Sequence, residues 1–248
     1  MGEQLQARSV GEVVAEDYTR AAVFQRYGID FCCGGGRSVA DACRKAGADL
    51  DEVLGALRES DERADPAPGH DPRDWAPSFL ADYIVTVHHG YVRQALPALR
   101  QFSDKVARVH GRRHPELVEV RTLVHELAEE MEEHMAEEEQ GIFARLAEGG
   151  PATPEDVGSL EDDHEEAGEL MRRIRALTDG FQPPADACST YRATFAKLEE
   201  FEGDLHRHVH LENNILFPQI AGPGADASPD DVAASPADVD ASRPVARS

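Results

Sequence analysis

Two stretches of the chain repeat one pattern: His134, Glu138 and Phe143, then His208, Glu212 and Phe217. In each, a histidine and a glutamate four residues apart face one side of a helix a turn apart, as two donors to the same metal must. A further histidine precedes each pair at nearly the same distance, His89 by 45 residues and His164 by 44. Four imidazoles and two carboxylates facing inward suit two iron-like ions bridged by the glutamates better than one structural zinc. Iron matches this donor set, with manganese and zinc also compatible with the spacing. A bridged pair keeps positions open for dioxygen, peroxide or nitric oxide. The bland alternative is a bundle in which buried His-Glu pairs satisfy each other. Six inward polar groups without cations would cost several kcal/mol per charge, which favours metal.

The chain has eleven histidines, and helical phase sorts them. His125 lies nine positions before His134, about half a turn round the helix, and reads as solvent-facing. His206 and His210 are rotated by roughly 200° from His208 and fall beside Asp204 and Arg207, so they read as an exposed face. His70, His110 and His114 fall in linker or turn regions. His88 and His89 both neighbour apolar residues, and His89 shares its stripe with Val85, Val92, Leu96 and Leu99. Among Glu137, Glu138 and Glu139, the repeat with Glu212 selects Glu138.

Four long amphipathic helices must position this set. Pro77 to Val109 carries the His89 stripe, with Pro97 placed to bend it. Pro115 opens a second helix in which Leu127, Met131, His134, Glu138 and Ile142 share a face. A third runs from about Pro154 to Thr178 with Leu160, His164, Ala167 and Met171 aligned. The fourth spans about Ala185 to Phe217 with Phe201, Leu205, His208, Glu212 and Ile215 aligned, and Pro218 is placed to end it. Short connections predict an up-down-up-down bundle. The fold class expected is therefore all-α: a four-helix bundle over 75–221, preceded by a small helical unit over 1–60, a linker over 61–74, and followed by a disordered tail over 222–248.

In the N-terminal unit, Val10, Val13 and Val14 make one apolar face, and Ala21, Ala22 and Phe24 belong to the next. The run from Tyr27 to Gly36 breaks helicity with consecutive glycines. Ser38 with Asp41 resembles a capping box, and Asp49 or Asp51 is placed to cap a fourth helix. A unit of this size is marginal alone and leans on a partner surface.

The formal net charge of −23 argues against nucleic acid and anionic membrane surfaces, which require basic patches. No apolar run is long enough to span a bilayer, and Met1 to Val10 lacks the pattern of a secretion signal, so a cytoplasmic protein is expected. Cys32, Cys33, Cys43 and Cys188 form neither a disulfide framework nor a C-x2-C zinc knuckle, which fits a reducing compartment. A homodimer is compatible with the sequence.

The four helices and the His134-x3-Glu138 motif resemble the haemerythrin-like di-iron proteins. The chain departs from the oxygen carriers of that group at Gly168, where they carry a second histidine, and at Asn213, where they carry an aspartate. A closer resemblance, covering nearly the whole chain to about Ile220, is to the repair-of-iron-centres family of iron–sulfur cluster repair di-iron proteins. It rests on Tyr27-Gly28-Ile29-Asp30-Phe31-Cys32-Cys33-Gly34-Gly35, on Asp163-His164-Glu165-Glu166-Ala167-Gly168-Glu169-Leu170, and on Leu211-Glu212-Asn213-Asn214-Ile215-Leu216-Phe217-Pro218. The resemblance implies a ligand set of His89, His134, His164, His208, Glu138 and Glu212, and settles His89 over His88 by its distance to Leu96-Pro97. It implies two iron ions and a role in restoring iron–sulfur clusters damaged by nitric oxide or oxidants, with the damaged iron–sulfur proteins as partners and iron donation as the means. It also favours Cys32 and Cys33 as a redox-active or nitric-oxide-reactive pair, with thiolates stabilised by the helix start at Ser38. Cys43 and Cys188 read as small packing residues. A nitric oxide or peroxide reductase at the same centre, and an oxygen or redox sensor, are the competing functions.

Overall fold

The computed structural model describes residues 2–63, 71–150 and 152–221. After one helical turn, α1 (Gly2–Leu5), a capping box opens α2 (Val10–Glu16): the Ser9 hydroxyl accepts from the Glu12 N–H, and the Glu12 carboxylate accepts from the Ser9 N–H. α2 buries Val10, Val13 and Val14. α3 (Ala21–Arg26) buries Ala21, Val23 and Phe24. Ala22, expected on that face, is exposed, because Val23 takes the inward phase. Gly28, at φ +66, turns the chain into the cysteine loop. Ser38 caps α4 (Val39–Ala46), and the Asp49 carboxylate accepts from the Asp51 and Glu52 N–H groups to open α5 (Leu50–Arg63). α5 runs three residues into the segment read as linker. The rest of that segment up to 70, and the tail over 222–248, lie outside the described residues.

The first bundle helix has three parts: α6 (Pro77–Ile84), a π-turn over Val85–His89, and α7 (Gly90–His110), which passes through Pro97 without ending. α8 (Glu116–Gln140) breaks at Gly141 and resumes as α9 (Ile142–Ala147). A second capping box, Thr153 with Asp156, starts α10 (Pro154–Leu177). α11 (Ser189–Leu211) leads into a π-turn over Glu212–Leu216 and then α12 (Phe217–Ile220). Pro218 thus opens a last helical turn rather than ending α11. The π-turn has already interrupted the regular i→i−4 ladder, so the missing proline N–H is tolerated there.

α8 packs between α7 and α10, and α11 packs on α7, which gives the up-down-up-down order. Their apolar residues form two clusters. One contains Val92, Met135, Ala167 and Val209, and the other Ile84, Ile142, Leu160 and Leu211. On each helix the changeover falls at His89, at His134 and Glu138, at His164, and at His208 and Glu212. A polar layer therefore crosses the bundle between two dry ones. The larger cluster continues into Val10, Val14, Phe24 and Phe31, so the N-terminal unit shares the bundle's core.

This packing overturns two expectations. His210 is buried and His206 half-buried, not exposed, because Tyr18 and Phe31 of the N-terminal unit cover that face: the Phe31 ring lies 5.6 Å from His206 and 6.1 Å from His210. Cys188, read as a packing residue, is exposed at the start of α11, with its sulfur 3.2 Å from His110 Nε2. Cys43 is buried as expected.

Candidate metal centre

α8, α10 and α11, with the two π-turns, bring His89, His134, Glu138, His164, His208 and Glu212 into the polar layer, each 4% exposed or less. Their donor atoms form two quartets, His89, Glu138, His208, Glu212 and His134, Glu138, His164, Glu212, in each of which all four atoms lie within 4.8 Å of one another. Both glutamates belong to both quartets, as bridges would. In the first, His89 Nε2 is 3.2 Å from His208 Nε2 and 3.2 Å from Glu138 Oε2, and His208 Nε2 is 2.9 Å from Glu212 Oε1. In the second, His134 Nε2 is 2.9 Å from His164 Nε2 and 3.4 Å from Glu138 Oε2, and His164 Nε2 is 3.2 Å from Glu212 Oε2. Adjacent donors at right angles, each about 2.1 Å from a metal ion, stand about 3 Å apart, so these separations match a coordination shell.

The partners of the outer ring nitrogens strengthen the fit. His89 Nδ1 lies 2.6 Å from Glu139, His134 Nδ1 3.3 Å from Asp163, and His164 Nδ1 2.7 Å from Asn213 Oδ1. Each partner atom accepts, which assigns the hydrogen to Nδ1 and leaves a lone pair on Nε2 in the neutral ring. His134 and His164 thus aim two lone pairs at each other, and a proton or a metal ion must lie between them. Glu138 carries the clearest sign: it is wholly buried, and neither carboxylate oxygen has a hydrogen-bond partner. An acceptor-only group left so is costly, and a cation removes the cost.

Without a cation, protons would take that part. Burial, and then the Glu212 carboxylate, push Glu138 well above the ordinary carboxylate range. Burial acts the same way on Glu212, but His208 and His164 outweigh it and hold Glu212 well below that range. Burial, then the neighbouring His164, lower His134, while on His164 burial is overcome by Glu212 and the ring is raised. Metal binding to such groups is coupled to their protonation, since ligands must lose their protons to bind.

Local backbone breaks sit beside each of the two glutamates. Gly141 ends α8 after Glu138, and the π-turn begins at Glu212. Both breaks turn a phenylalanine back onto a histidine: Phe143 stacks on His89 at 6.0 Å and Phe217 on His164 at 6.1 Å. The phenylalanines of the repeat thus bound the polar layer on the side of the smaller apolar cluster. His88, the alternative to His89, is also buried, stacked on His208 and bonded through Nδ1 to Asp204 at 3.0 Å, but belongs to neither quartet.

The cysteine loop lies on this layer. Cys33 Sγ donates to the His164 carbonyl oxygen at 3.4 Å, and the Asn214 amide donates to the Cys32 carbonyl oxygen at 3.0 Å. A cavity of about 180 Å³ lies between loop and bundle, with Cys32, Cys33, His164 and His206 among its lining. The low thiol pKa expected from the helix start at Ser38 is not what these surroundings produce. The neighbouring Cys33 thiol, then burial, then the charge of Asp30 raise Cys32 well above the ordinary thiol value. Sequence reasoning assigns no contact role to Glu139, Asp163, Asn213 or Asn214. Glu139 is set aside when the repeat with Glu212 selects Glu138, and Asp163 and the asparagines enter only through resemblance to known families.

Residues 80–220 match the Hemerythrin HHE cation binding domain, which defines the class of this bundle and its polar layer. Residues 6–61 match a second family, described as Domain of Unknown function (DUF542). An iron-sulfur cluster repair protein ScdA from Staphylococcus haemolyticus is 35% identical, covering 86% of this chain and 97% of its own. A probable iron-sulfur cluster repair protein from Haemophilus influenzae is 34% identical over 80% and 89%, and an iron-sulfur cluster repair protein YtfE from Musicola paradisiaca is 33% identical over 86% and 95%. The chain belongs to this iron–sulfur cluster repair family.

Proposed function

We propose that the protein restores iron–sulfur clusters damaged by nitric oxide or oxidants, and does so by passing on iron from a dinuclear centre held by His89, His134, His164, His208, Glu138 and Glu212. The observation that supports this most is the buried Glu138 carboxylate, unpartnered between the two quartets. The names of the relatives support the repair role. When bound, an iron pair supplies one-electron redox chemistry and open positions for nitric oxide, dioxygen or peroxide. The chain's own residues supply the rest. Glu139, Asp163 and Asn213 fix three imidazole tautomers, and Phe143 and Phe217 keep water out.

Two divalent ions would bring four positive charges against the Glu138 and Glu212 carboxylates, with the Glu139 and Asp163 carboxylates behind His89 and His134 supplying two further negative charges. In this reading the protein works in the cytoplasm on damaged iron–sulfur proteins. Among the described residues no helix is long and apolar enough to cross a membrane.

The test is transfer. Protein loaded with isotopically enriched iron is mixed with a nitric-oxide-damaged cluster protein in the presence of a chelator that strips free iron. The label is expected in the rebuilt cluster, with loss of iron from the donor. Iron that stays bound while nitric oxide or peroxide is consumed through many turnovers would contradict donation and make the centre a reductase.

A further inference from the structure

Outside the dinuclear centre, the loop after α3 gathers a second set of metal-binding atoms. One carboxylate oxygen of Asp30 and the sulfurs of Cys32 and Cys33 all lie within 4.8 Å of one another. Adjacent cysteines by themselves make a poor cage, since neighbouring side chains in a regular backbone point apart. This loop is not regular. Asp30 Oδ1 accepts from the Cys32 N–H at 3.1 Å and from its thiol at 3.4 Å, which curls the carboxylate over the cysteine's own turn. The Asn214 amide clamps the Cys32 carbonyl from the bundle side. Cys33 is held over α10, its sulfur 3.4 Å from the His164 carbonyl oxygen. Both thiols are free, and all three residues line the cavity of about 180 Å³ described above.

We infer that Asp30, Cys32 and Cys33 form a third metal site, mononuclear and separate from the dinuclear centre, that takes one thiophilic divalent cation such as zinc, cadmium, cobalt or ferrous iron. Two sulfurs and one oxygen make three donors, which leaves a fourth, tetrahedral position facing the cavity for water or an incoming ligand. Binding moves no electrons. Each thiol loses its proton to solvent as its metal–sulfur bond forms, and Asp30 binds as the carboxylate. Arg172 does not block the site: its guanidinium stands 3.8 Å from Asp30 Oδ2, the oxygen turned away from Cys32, and its side chain is 56% exposed. The inference does not depend on iron donation. It requires only that these three side chains converge, and it places a soft site beside a harder, nitrogen- and oxygen-rich one.

Titration of the reduced, iron-loaded protein with cadmium alone tests it, followed by ultraviolet difference absorption. Thiolate-to-cadmium charge transfer gives a band that imidazole and carboxylate do not. One equivalent per chain is expected to saturate the band, Cys32→Ser or Cys33→Ser to remove most of it, and Asp30→Asn, which keeps the shape of the side chain, to weaken binding at least about tenfold. Glu138→Gln is expected to leave the band in place, which separates this site from the dinuclear one. Absence of the band, unchanged affinity in Asp30→Asn, or one cadmium shared by two chains would each overturn the inference.

Discussion

Asn214 Nδ2 donates to the Cys32 carbonyl oxygen at 3.0 Å, and so ties the π-turn that begins at Glu212 to the cysteine loop across 182 residues of chain. The same side chain fills the space above two glycines. A Cβ on Gly11 would lie 1.9 Å from Asn214 Oδ1, and one on Gly35 2.1 Å from it. The backbone segment that begins at Glu212 is thereby tied to the cysteine loop through a single amide.

Gly11→Ala and Gly35→Ala should each destabilise the protein by about 1–3 kcal/mol through overpacking. They should differ in rescue. At Gly11 the clashing atoms all belong to the Asn214 side chain, so Asn214→Ala relieves the clash, whereas at Gly35 the Phe31 carbonyl, 2.8 Å from the added Cβ, stays in place. Urea denaturation of the single and double variants decides this. Equal rescue at both positions would mean that Asn214 is not wedged as described.

Glu138→Gln should act differently with and without metal. In metal-free protein it replaces a buried side chain whose neutral acid form burial already favours, and whose oxygens have no hydrogen-bond partner, by a neutral amide, so the unfolding midpoint should hold. Metal at a hundred times its dissociation constant should stabilise the unmodified protein by about 2.7 kcal/mol, and the variant should lose most of that gain. A variant that is less stable than the parent in the metal-free form and still gains fully on loading would refute the bridging role.

The four long helices, and the residues the structure gathers in the polar layer, were legible because both are local patterns. The i, i+4 pairs at His134 and His208 and the near-equal offsets of His89 and His164 report which side of each helix faces in. What those patterns cannot carry is contact between distant segments. His210 lies on the side of α11 away from His208, which in an isolated bundle would face water, and only the docked N-terminal unit buries it. Cys33 beside His164, and Asn214 between Gly11 and Gly35, are likewise set by docking. The π-turns at Val85–His89 and Glu212–Leu216 alter helical phase without any composition that marks them, which is how His88 and His89 both come to be buried.

Docking of the N-terminal unit should weaken in acid. Burial against Tyr18 and Phe31 lowers His210 to about 4 from 6.5, so the folded protein keeps it neutral while the unfolded chain takes up a proton below about 6.5. The unfolded state then binds more protons, and stability falls as the pH drops from about 6.5 towards 4, by up to ~3 kcal/mol from this one group. Above pH 6.5 the contribution is fully present. Chemical denaturation across that window, compared with His210→Gln, checks it: the variant should have the shallower slope, and identical slopes would rule His210 out as the source.

Gly168 leaves room for a thiol. A Cβ there would meet only Cys33 Sγ, at an ordinary 3.7 Å, so Gly168→Ala should fold with little change beyond its helix preference. Gly168→His should drive Cys33 off α10, and its reaction with a thiol reagent should then be several-fold faster than in the parent. Unchanged reactivity in a folded Gly168→His protein would mean that the loop does not rest there.

In the proposed centre two iron ions share Glu138 and Glu212. Metal content by mass spectrometry, combined with a Mössbauer spectrum of protein produced with enriched iron, tests it most directly. About two irons per chain with the signature of a coupled pair are expected, and Glu138→Gln should abolish them. Stoichiometric zinc in their place, or an intact fold that takes up no metal, would contradict it.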